Sequence, residues 1–402
     1  MRCGNWGPMG ATGEIFLTFL KLGLTAFGGP IAHLGYFRDE IVVRRKWIDE
    51  KGYADLVALC QFLPGPTSSQ VGFAIGLLRG GASGAASAFV AFTLPSALLM
   101  VAFAYGLTMF DGHVGQELIS GLKVVAVAIV AQAVWGMARA LCPDKERVTI
   151  ALVAAAIVLG LGSALGQIVA IAAGAVAGLI FCRSSVGKSV AGHLNFEVPR
   201  YIGAICFSLF TALLVGLPLA ATITDSQGVA VLASFYHAGS WVFGGGHVVL
   251  PLLEAEVVQP GWVTTDQFLA GYGAAQAIPG PLFTFAAYLG SILEPGPNGI
   301  LGAVLALVAI FFPGFLLLIG AISFWDSLRT RSGAQELISG ASASVVGILG
   351  AALYNPIFTS AIVGPSTFAL ALICFVLLMG FRAPAWIVVV FSLAGSLVIS
   401  AI

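Results

Sequence analysis

The sequence predicts an all-α polytopic membrane protein with two inverted repeats. Its 402 residues are 59% hydrophobic and only 9% charged, whereas an ordinary soluble domain has roughly 25% charged residues. Apolar runs of about 20 residues, long enough to cross a bilayer, recur along the chain: Ala82 to Gly106, Ile150 to Phe181, Tyr201 to Ala221, Ile300 to Ile322 and Ala383 to Ile402. The lipid bilayer is therefore the expected surrounding, and no nucleic-acid partner is expected.

An internal repeat divides the chain. Motifs recur in register at a spacing of 215 to 219 residues: Phe27-Gly28-Gly29-Pro30 as Phe243-Gly244-Gly245-Gly246, Gln61 to Pro66 as Gln276 to Pro281, and Gln116 to Gly121 unchanged as Gln335 to Gly340. These matches predict a first repeat over 12–182 and a second over 227–402. Between them, 183–226 holds a polar linker and one apolar helix, and that additional crossing turns the second repeat upside down, as in many secondary transporters.

The distribution of charge supports this inversion. Of the 18 Lys and Arg residues, 15 precede Tyr201, and none lies between Tyr201 and Ser327. The loop after the first FGG motif is basic, whereas its counterpart contains Glu254 and Glu256. Because cytoplasmic loops collect Lys and Arg, equivalent loops of the two repeats are expected on opposite sides, with the N-terminus in the cytoplasm.

Simple crossings do not reconcile all the basic loops with one side. The conflict disappears if the first two segments of each repeat are re-entrant hairpins that turn at FGG and at PGP. Each repeat then has two broken hairpins and four full helices. Together with the connecting helix, the chain crosses the membrane nine times, or thirteen times if every hairpin is counted as a full span. The basic residues then face the cytoplasm, including Arg38, Lys46, Arg79, Arg139, Lys145, Arg183, Lys188, Arg329, Arg331 and Arg382. A kink in a spanning helix is the alternative.

Polar residues beside these breaks are candidates for an anion site. Thr67, Ser68, Ser69 and Gln70 follow the first PGP motif, where the free N–H groups of a new helix attract anions. Ordinary N-capping is the competing interpretation. The second repeat offers only Thr284 in the same stretch, so the site is expected to depend mainly on the first repeat.

Three ionisable residues in the apolar arms are further candidates. Lys21 would serve as a counter-charge, since a mid-membrane cation costs roughly 2.5–3.5 kcal/mol, or it would extend to the membrane surface. His33 and His247 follow the two FGG motifs and could donate to an anion or carry protons, or be structural.

Motifs of other classes are missing from the sequence. The six cysteines form no CxxC pair, which argues against a metal site, and neither HExxH nor GxSxG occurs. No cofactor and no enzymatic activity are expected. An intramembrane enzyme, such as a lipid-modifying transferase, and a non-transporting structural subunit stay as alternatives from other classes.

Taken together, the motifs resemble the chromate ion transporter family in its long, two-repeat form. They are Phe19 to Gly23, Ala26 to Pro30 with Ala32-His33, Gln61 to Pro66, Phe243 to His247 and Ala277 to Pro281. The resemblance implies a bacterial inner-membrane protein that exports chromate and gives chromate resistance, with sulfate as the competing anion and, for some members, coupling to protons. It leaves the coupling ion and a homodimer open.

The resulting hypothesis is alternating access at a mid-membrane anion site where the four hairpin tips converge. Glycines would allow the backbone to approach the anion there, and the flanking polar residues would complete the site. A sulfate or other oxyanion transporter is the alternative within this class. The predicted site residues are Lys21, Gly28, Gly29, His33, Gln61, Gly65, Thr67, Ser68, Ser69, Gln70, Gly245, Gly246, His247, Gln276, Gly280 and Thr284.

Overall fold

The computed structural model describes residues 11–107, 112–162, 164–182, 196, 198–325 and 332–401. Within these ranges the chain is helical and forms no strand. The predicted polar linker lies mostly outside the described residues, as do the N-terminal end and the basic residues Arg183, Lys188, Arg329 and Arg331.

The first repeat begins with two hairpins and continues into longer helices. A π-helical turn, Arg38–Arg44, extends the second of these helices. The helices are α1 (Ala11–Thr25), α2 (Gly29–Phe37), α3 (Glu50–Phe62), α4 (Thr67–Leu107), α5 (His113–Leu141), α6 (Lys145–Leu161) and α7 (Ala164–Phe181).

The connecting helix α8 (Arg200–Thr224) leads into a second repeat with the same order of elements. Two further π-helical turns, Glu254–Val258 and Leu353–Phe358, follow α10 and α14. The helices are α9 (Gln227–Ser240), α10 (Val249–Leu253), α11 (Thr265–Ala275), α12 (Phe285–Ile292), α13 (Gly299–Ile322), α14 (Ser332–Ala352), α15 (Thr359–Ala361), α16 (Pro365–Met379) and α17 (Ala385–Ala401).

Helix α4 is two helices joined by a reversal at Gly80 and Gly81. Gly81 has φ +62°, a left-handed conformation that glycine adopts without strain. Eight residues of straight helix would separate Gly76 from Gly84 by about 12 Å, yet a Cβ atom on Gly76 would collide with the Gly84 carbonyl oxygen. The first arm of α4 therefore returns from the PGP tip, and the second arm makes a crossing.

The hairpins of the two repeats enter from opposite ends of this second arm. It starts at Gly81, where the first pair of hairpins closes. Near its other end, the Tyr105 hydroxyl lies 3.2 Å from where a Cβ atom on Gly299 would sit, and Gly299 starts the helix that follows the second pair. The structure thus has the predicted fold: two inverted repeats, each with two broken hairpins.

The helices after the hairpins are exchanged between the repeats. Helix α5 packs against α16 and α17 of the second repeat, while α14 packs against α6 and α7 of the first. The repeated QELISG motif makes both contacts: Gly121 lies against Ser392 and Leu393, and Gly340 lies against Gly174. The Ser392 hydroxyl also donates to the Gly121 carbonyl at 2.8 Å. This exchange joins the two repeats into one core.

The helices that could cross the membrane are not all of the same length. Five stretches are long and apolar enough to cross a bilayer: Thr67–Leu107, Gly115–Leu141, Arg200–Thr224, Gly299–Ile322 and Gly333–Ala361. The last two helices of each repeat have 17, 18, 15 and 17 residues, fewer than the roughly 20 of a full perpendicular span. These four helices occupy the predicted positions but are shorter than predicted.

Candidate functional site

The hairpin tips depend on backbone conformations that favour glycine. The glycines of the four turns have positive φ values between +78° and +143°, which place a Cβ atom in an unfavourable position. They are Gly28, Gly29, Gly65, Gly244, Gly245 and Gly280. Each turn can therefore reverse the chain in two or three residues within the molecule.

Two reciprocal backbone hydrogen bonds join the tips of the two repeats. Gly65 N–H donates to the Val242 carbonyl at 2.7 Å, and Gly280 N–H donates to the Ala26 carbonyl at 2.9 Å. Each PGP tip thus binds the residue just before the FGG motif of the other repeat. Since irregular backbone at membrane depth needs such internal partners, the tips support one another.

The PGP glycines also lie against the long helices of the opposite repeat. A Cβ atom on Gly280 would lie 2.7 Å from Ser96 Oγ, and one on Gly65 would lie 3.1 Å from Gly314 Cα. Ser96 and Gly314 each follow a proline inside the helix, Pro95 and Pro313. The close approach and the positive φ both require glycine at these tips.

A cavity of about 190 Å³ lies between the first FGG tip and the second PGP tip. Helix α5 and the connection between α16 and α17 form its remaining walls. Its lining combines tip backbone with apolar side chains and three polar ones, and comprises Gly28, Gly29, Ile129, Gln132, His247, Ala275, Gln276, Ile278, Gly280, Leu282, Leu378, Ala383, Pro384 and Ala385. The volume equals that of several water molecules, so a small tetrahedral oxyanion fits.

The polar side chains of this cavity can donate hydrogen bonds. The buried Gln276 Nε2 has no partner among the described residues. The His247 Nε2 atom lies 4.0 Å from where a Cβ atom on Gly29 would sit, and its Nδ1 lies 2.7 Å from the Tyr272 hydroxyl. If that hydroxyl donates to Nδ1, the ring carries its proton on Nε2, facing the cavity.

Helix α2 adds its N-terminus to the same place. It begins at Gly29, and its N-cap residue, Gly28, provides no side-chain hydrogen bond. The first N–H groups of a helix have no internal partner and carry partial positive charge. The cavity therefore combines a helix N-terminus, an unpartnered amide and an imidazole, a set of neutral donors suited to an anion.

The polar residues of the first PGP motif lie elsewhere. Ser68, Ser69 and Gln70 are buried, and the Gln70 amide donates to the carbonyls of Pro64 and Gly314, each at 3.0 Å. Ser68 Oγ lies 3.4 Å from Nδ1 of the buried His33. Thr67 is partly buried at the start of the first α4 arm. None of these residues lines the cavity, so its polar side chains come from α5 and the second repeat.

Of the remaining predicted residues, some lie at the hairpin tips and others lie away from them. Lys21 has a 52% exposed side chain and pairs with Glu40 at 3.0 Å, away from the tips, and Gln61 is exposed. Thr284 donates to the Pro281 carbonyl at 2.8 Å. Gly246 is buried against Pro30 and Leu282, while Gly245 stands at the second FGG turn.

Sequence reasoning missed two residues of the cavity region. Gln132 lines the cavity from the middle of the apolar helix α5, and a polar side chain in such a run is a signal that could have been used. Tyr272 orients His247 from α11, and only the packing of the two elements brings them together.

A second cavity occupies a nearly equivalent position in the other direction. It measures about 160 Å³, and Ile348 and Ala351 in its wall are the repeat counterparts of Ile129 and Gln132. Its lining also includes Pro251 and Glu254, and none of the tip glycines lines it. The two cavities are therefore unequal: one reaches the tips and the other stops short.

The comparisons with known proteins agree with this architecture. A chromate transport protein of Pseudomonas aeruginosa is 29% identical over 84% of this chain and 79% of its own length. A chromate transport protein of Cupriavidus metallidurans is 26% identical over 92% and 88%, respectively. An uncharacterized transporter of Methanocaldococcus jannaschii is 27% identical over 84% and 82%. No solved structure matches the chain.

The family comparison accounts for most of the chain. The model of the chromate transporter family matches twice, over residues 13–179 and 229–397. These two stretches contain both FGG motifs, both PGP motifs and the exchanged helices. The chain is thus a multi-pass integral membrane protein, and it belongs to the chromate transporter family.

Proposed function

We propose that this protein exports chromate from the bacterial cytoplasm across the inner membrane and thereby confers chromate resistance. The observation that carries the proposal is the cavity at the hairpin tips, where the unpartnered Gln276 amide meets the α2 N-terminus and His247. The family membership and the names of the bacterial relatives supply the substrate. Sulfate, a tetrahedral dianion of similar shape, is the expected competitor.

Neutral donors suit a carrier that must release its substrate. Among the residues that the structure describes, no Lys or Arg lines the cavity, so the dianion would be held by dipoles and hydrogen bonds. A fixed buried cation would hold the anion more tightly but would also retain it. Export needs no further energy source, because moving a dianion out of a negative interior releases about 4.6 kcal/mol per 100 mV.

The unequal cavities support alternating access. The positive-inside rule assigns the α16–α17 loop, with Arg382, and the first-repeat loops with Arg79 and Lys145 to the cytoplasm. The cavity that reaches the tips is bounded by the α16–α17 loop. This conformation would then load from the cytoplasm. If the two repeats adopted each other's conformation, this cavity would close and the smaller one would extend to the tips. The site would then be open to the outside.

The test is chromate transport with a charge introduced at Gln276. In inside-out vesicles, we expect radiolabelled chromate to accumulate with the wild-type protein. Gln276→Glu should lower the initial rate at least tenfold, because a carboxylate about 4 Å from a dianion costs about 2 kcal/mol even at the dielectric constant of water. Equal amounts of inserted protein are verified by immunoblot.

The repeat itself provides the matched control. Gln61 is the counterpart of Gln276 but is exposed, so Gln61→Glu should transport within twofold of wild type. An unchanged rate for Gln276→Glu would place the anion elsewhere. No chromate accumulation by folded wild-type protein would refute chromate export, and accumulation of sulfate instead would support the sulfate alternative.

A further inference from the structure

The smaller cavity has a different set of polar groups from the cavity at the hairpin tips. Its polar side chains are those of Gln167, Glu254, Gln259 and Asn355, and within the described part of the chain no Lys, Arg or His lines it. One carboxylate and three amides thus line the same space of about 160 Å³. The cavity offers oxygen ligands and one negative charge, without a positive charge to balance it.

Glu254 is a partly buried carboxylate with little compensation for its charge. Gln259 Nε2 donates to one of its oxygens at 3.4 Å, and none of the ion pairs among the described residues includes it, although Glu256 in the same turn pairs with His237. A carboxylate removed from water needs a charged partner or several good hydrogen bonds. A single long hydrogen bond from an amide leaves most of this need unmet.

Gln167 adds a second oxygen whose orientation is fixed by its neighbour. The residue is 4% exposed, and its Nε2 donates to the Pro251 carbonyl at 2.9 Å. A reversed amide would place two oxygens against each other, so this bond makes Oε1 the free acceptor. Oε1 is buried and has no hydrogen-bond partner among the described residues. Because buried polar atoms are nearly always paired, this oxygen points to a ligand.

Two helix C-termini lie at the same cavity. The last turn of α6 contributes Val158 and Leu159 to the lining, and the end of α14 contributes Ala351 and Ala352. The last carbonyl groups of a helix carry partial negative charge. Beyond α14, Pro356 lacks the N–H group that would usually pair with the Ala352 carbonyl. In transporters built from inverted repeats, such C-terminal ends and freed carbonyls bind cations, whereas helix N-termini face anions.

The equivalent positions of the other repeat carry different residues. Glu254 comes 11 residues after the Phe of its FGG motif, where the first repeat has Arg38, and the Arg38 guanidinium pairs with Glu50 at 2.6 Å. At the offset of 219 that relates the two QELISG motifs, the counterpart of Gln167 is Trp386. The two oxygen ligands therefore belong to the smaller cavity alone and do not follow from the duplicated architecture.

We propose that the smaller cavity is a binding site for a monovalent alkali cation, with Glu254 and Gln167 Oε1 as its ligands. Oxygen ligands suit hard cations, and the single carboxylate balances one positive charge, whereas protein sites for divalent cations usually have more carboxylates. The cavity has room for several water molecules, which would complete the coordination of the ion. The site lies apart from the hairpin tips and does not depend on which anion the protein transports.

Thermal unfolding of the purified protein in detergent tests the site, with choline chloride keeping the ionic strength constant. Replacing choline by Li⁺, Na⁺ or K⁺ should raise the unfolding midpoint saturably for at least one of these ions. Glu254→Gln should raise the concentration at half-saturation at least about tenfold, because it removes the negative charge. Glu256→Gln is the matched control, since Glu256 lies in the same π-helical turn but does not line the cavity; it should keep the wild-type response.

Direct binding of radiolabelled Na⁺ or Rb⁺, measured by equilibrium dialysis, provides a second readout. Gln167→Leu keeps the size of the side chain but removes its oxygen, and it should weaken binding about fivefold or more. No saturable effect of any alkali ion on wild type, or equal affinities of wild type and Glu254→Gln, would overturn the proposal. A midpoint that follows pH alone would show that a proton neutralises Glu254 and would overturn it too. These measurements contain no chromate, so cation binding by a protein that fails to transport chromate would refute only the proposed function.

Discussion

Gly280 is a single residue on which the geometry of the tips depends. It combines a φ of +99° with an approach of 2.7 Å between a potential Cβ atom and Ser96 Oγ. Its N–H also forms one of the two reciprocal bonds between the repeats. Three separate requirements therefore meet at one position, and an added methyl group disturbs all of them.

Replacing Gly280 by alanine should destabilise the protein. The left-handed conformation costs about 1–2 kcal/mol for a residue with a Cβ atom, and overpacking adds about 1–3 kcal/mol. We expect a clearly lower midpoint of thermal unfolding in detergent. Gly216→Ala on α8 is the control, because no atom lies within 4 Å of its potential Cβ. Equal midpoints for both variants would show that the tip tolerates a side chain.

For individual residues, the sequence predicted the glycines of the turns better than the polar side chains that line the cavity. The paired FGG and PGP motifs identify the tip glycines, because few other residues reverse a chain so tightly. Ser68 and Gln70 were also predicted from their position after a break. Their side chains instead bond to His33 and to backbone carbonyls, which depends on contacts between distant elements that spacing does not encode.

Among the elements, the exchanged helices explain why one motif is retained unchanged in both repeats. Gly340 of QELISG lies against Gly174, and a Cβ atom there would collide with the Gly174 carbonyl oxygen. A Cβ atom on Gly121, its counterpart, would lie 3.0 Å from the Cα atom of Leu393, the counterpart of Gly174. Small residues at such crossings let two membrane helices approach closely, so the same contact is made twice.

Helix α14 offers a matched pair of glycines to test this contact. Gly340→Ala should reduce the yield of folded protein and lower its unfolding midpoint, because α14 must move away from α7. Gly350→Ala on the same helix has no atom within 4 Å of its potential Cβ, and alanine favours helix by about 1 kcal/mol over glycine. It should be neutral or stabilising. Similar losses in both variants would argue against the exchanged packing.

The sequence predicted the hairpins, but it did not predict that the long helices pack against the other repeat. Placing every basic loop on one side required short segments that return to their origin, and the turns at Gly80, Gly81 and the tips produce them. Which long helix contacts which depends on surfaces of small apolar residues that recur throughout the chain.

For the whole molecule, inversion is what gives the two cavities opposite directions. Each is lined by the exchanged helix of one repeat and by the connection between the last two helices of the other, yet one reaches the hairpin tips, whereas no tip glycine lines the other. Because the two repeats share one architecture but differ in conformation, a second conformation exists in which each repeat takes the conformation of the other. In that state the smaller cavity would reach the tips and the larger one would not. This is the structural basis on which alternating access is proposed.

Inversion is tested by labelling two turns that close equivalent hairpins. Ser83 follows the turn of the first pair and Asn298 precedes α13 after the second pair, and both are exposed. A membrane-impermeant thiol reagent should label Asn298→Cys in intact cells and Ser83→Cys only after permeabilisation. Cys3→Ser serves as the background, since the other five cysteines are buried. Labelling of both positions from one side would contradict the inverted topology, and reversed labelling would place the N-terminus outside and turn the proposed direction of loading around.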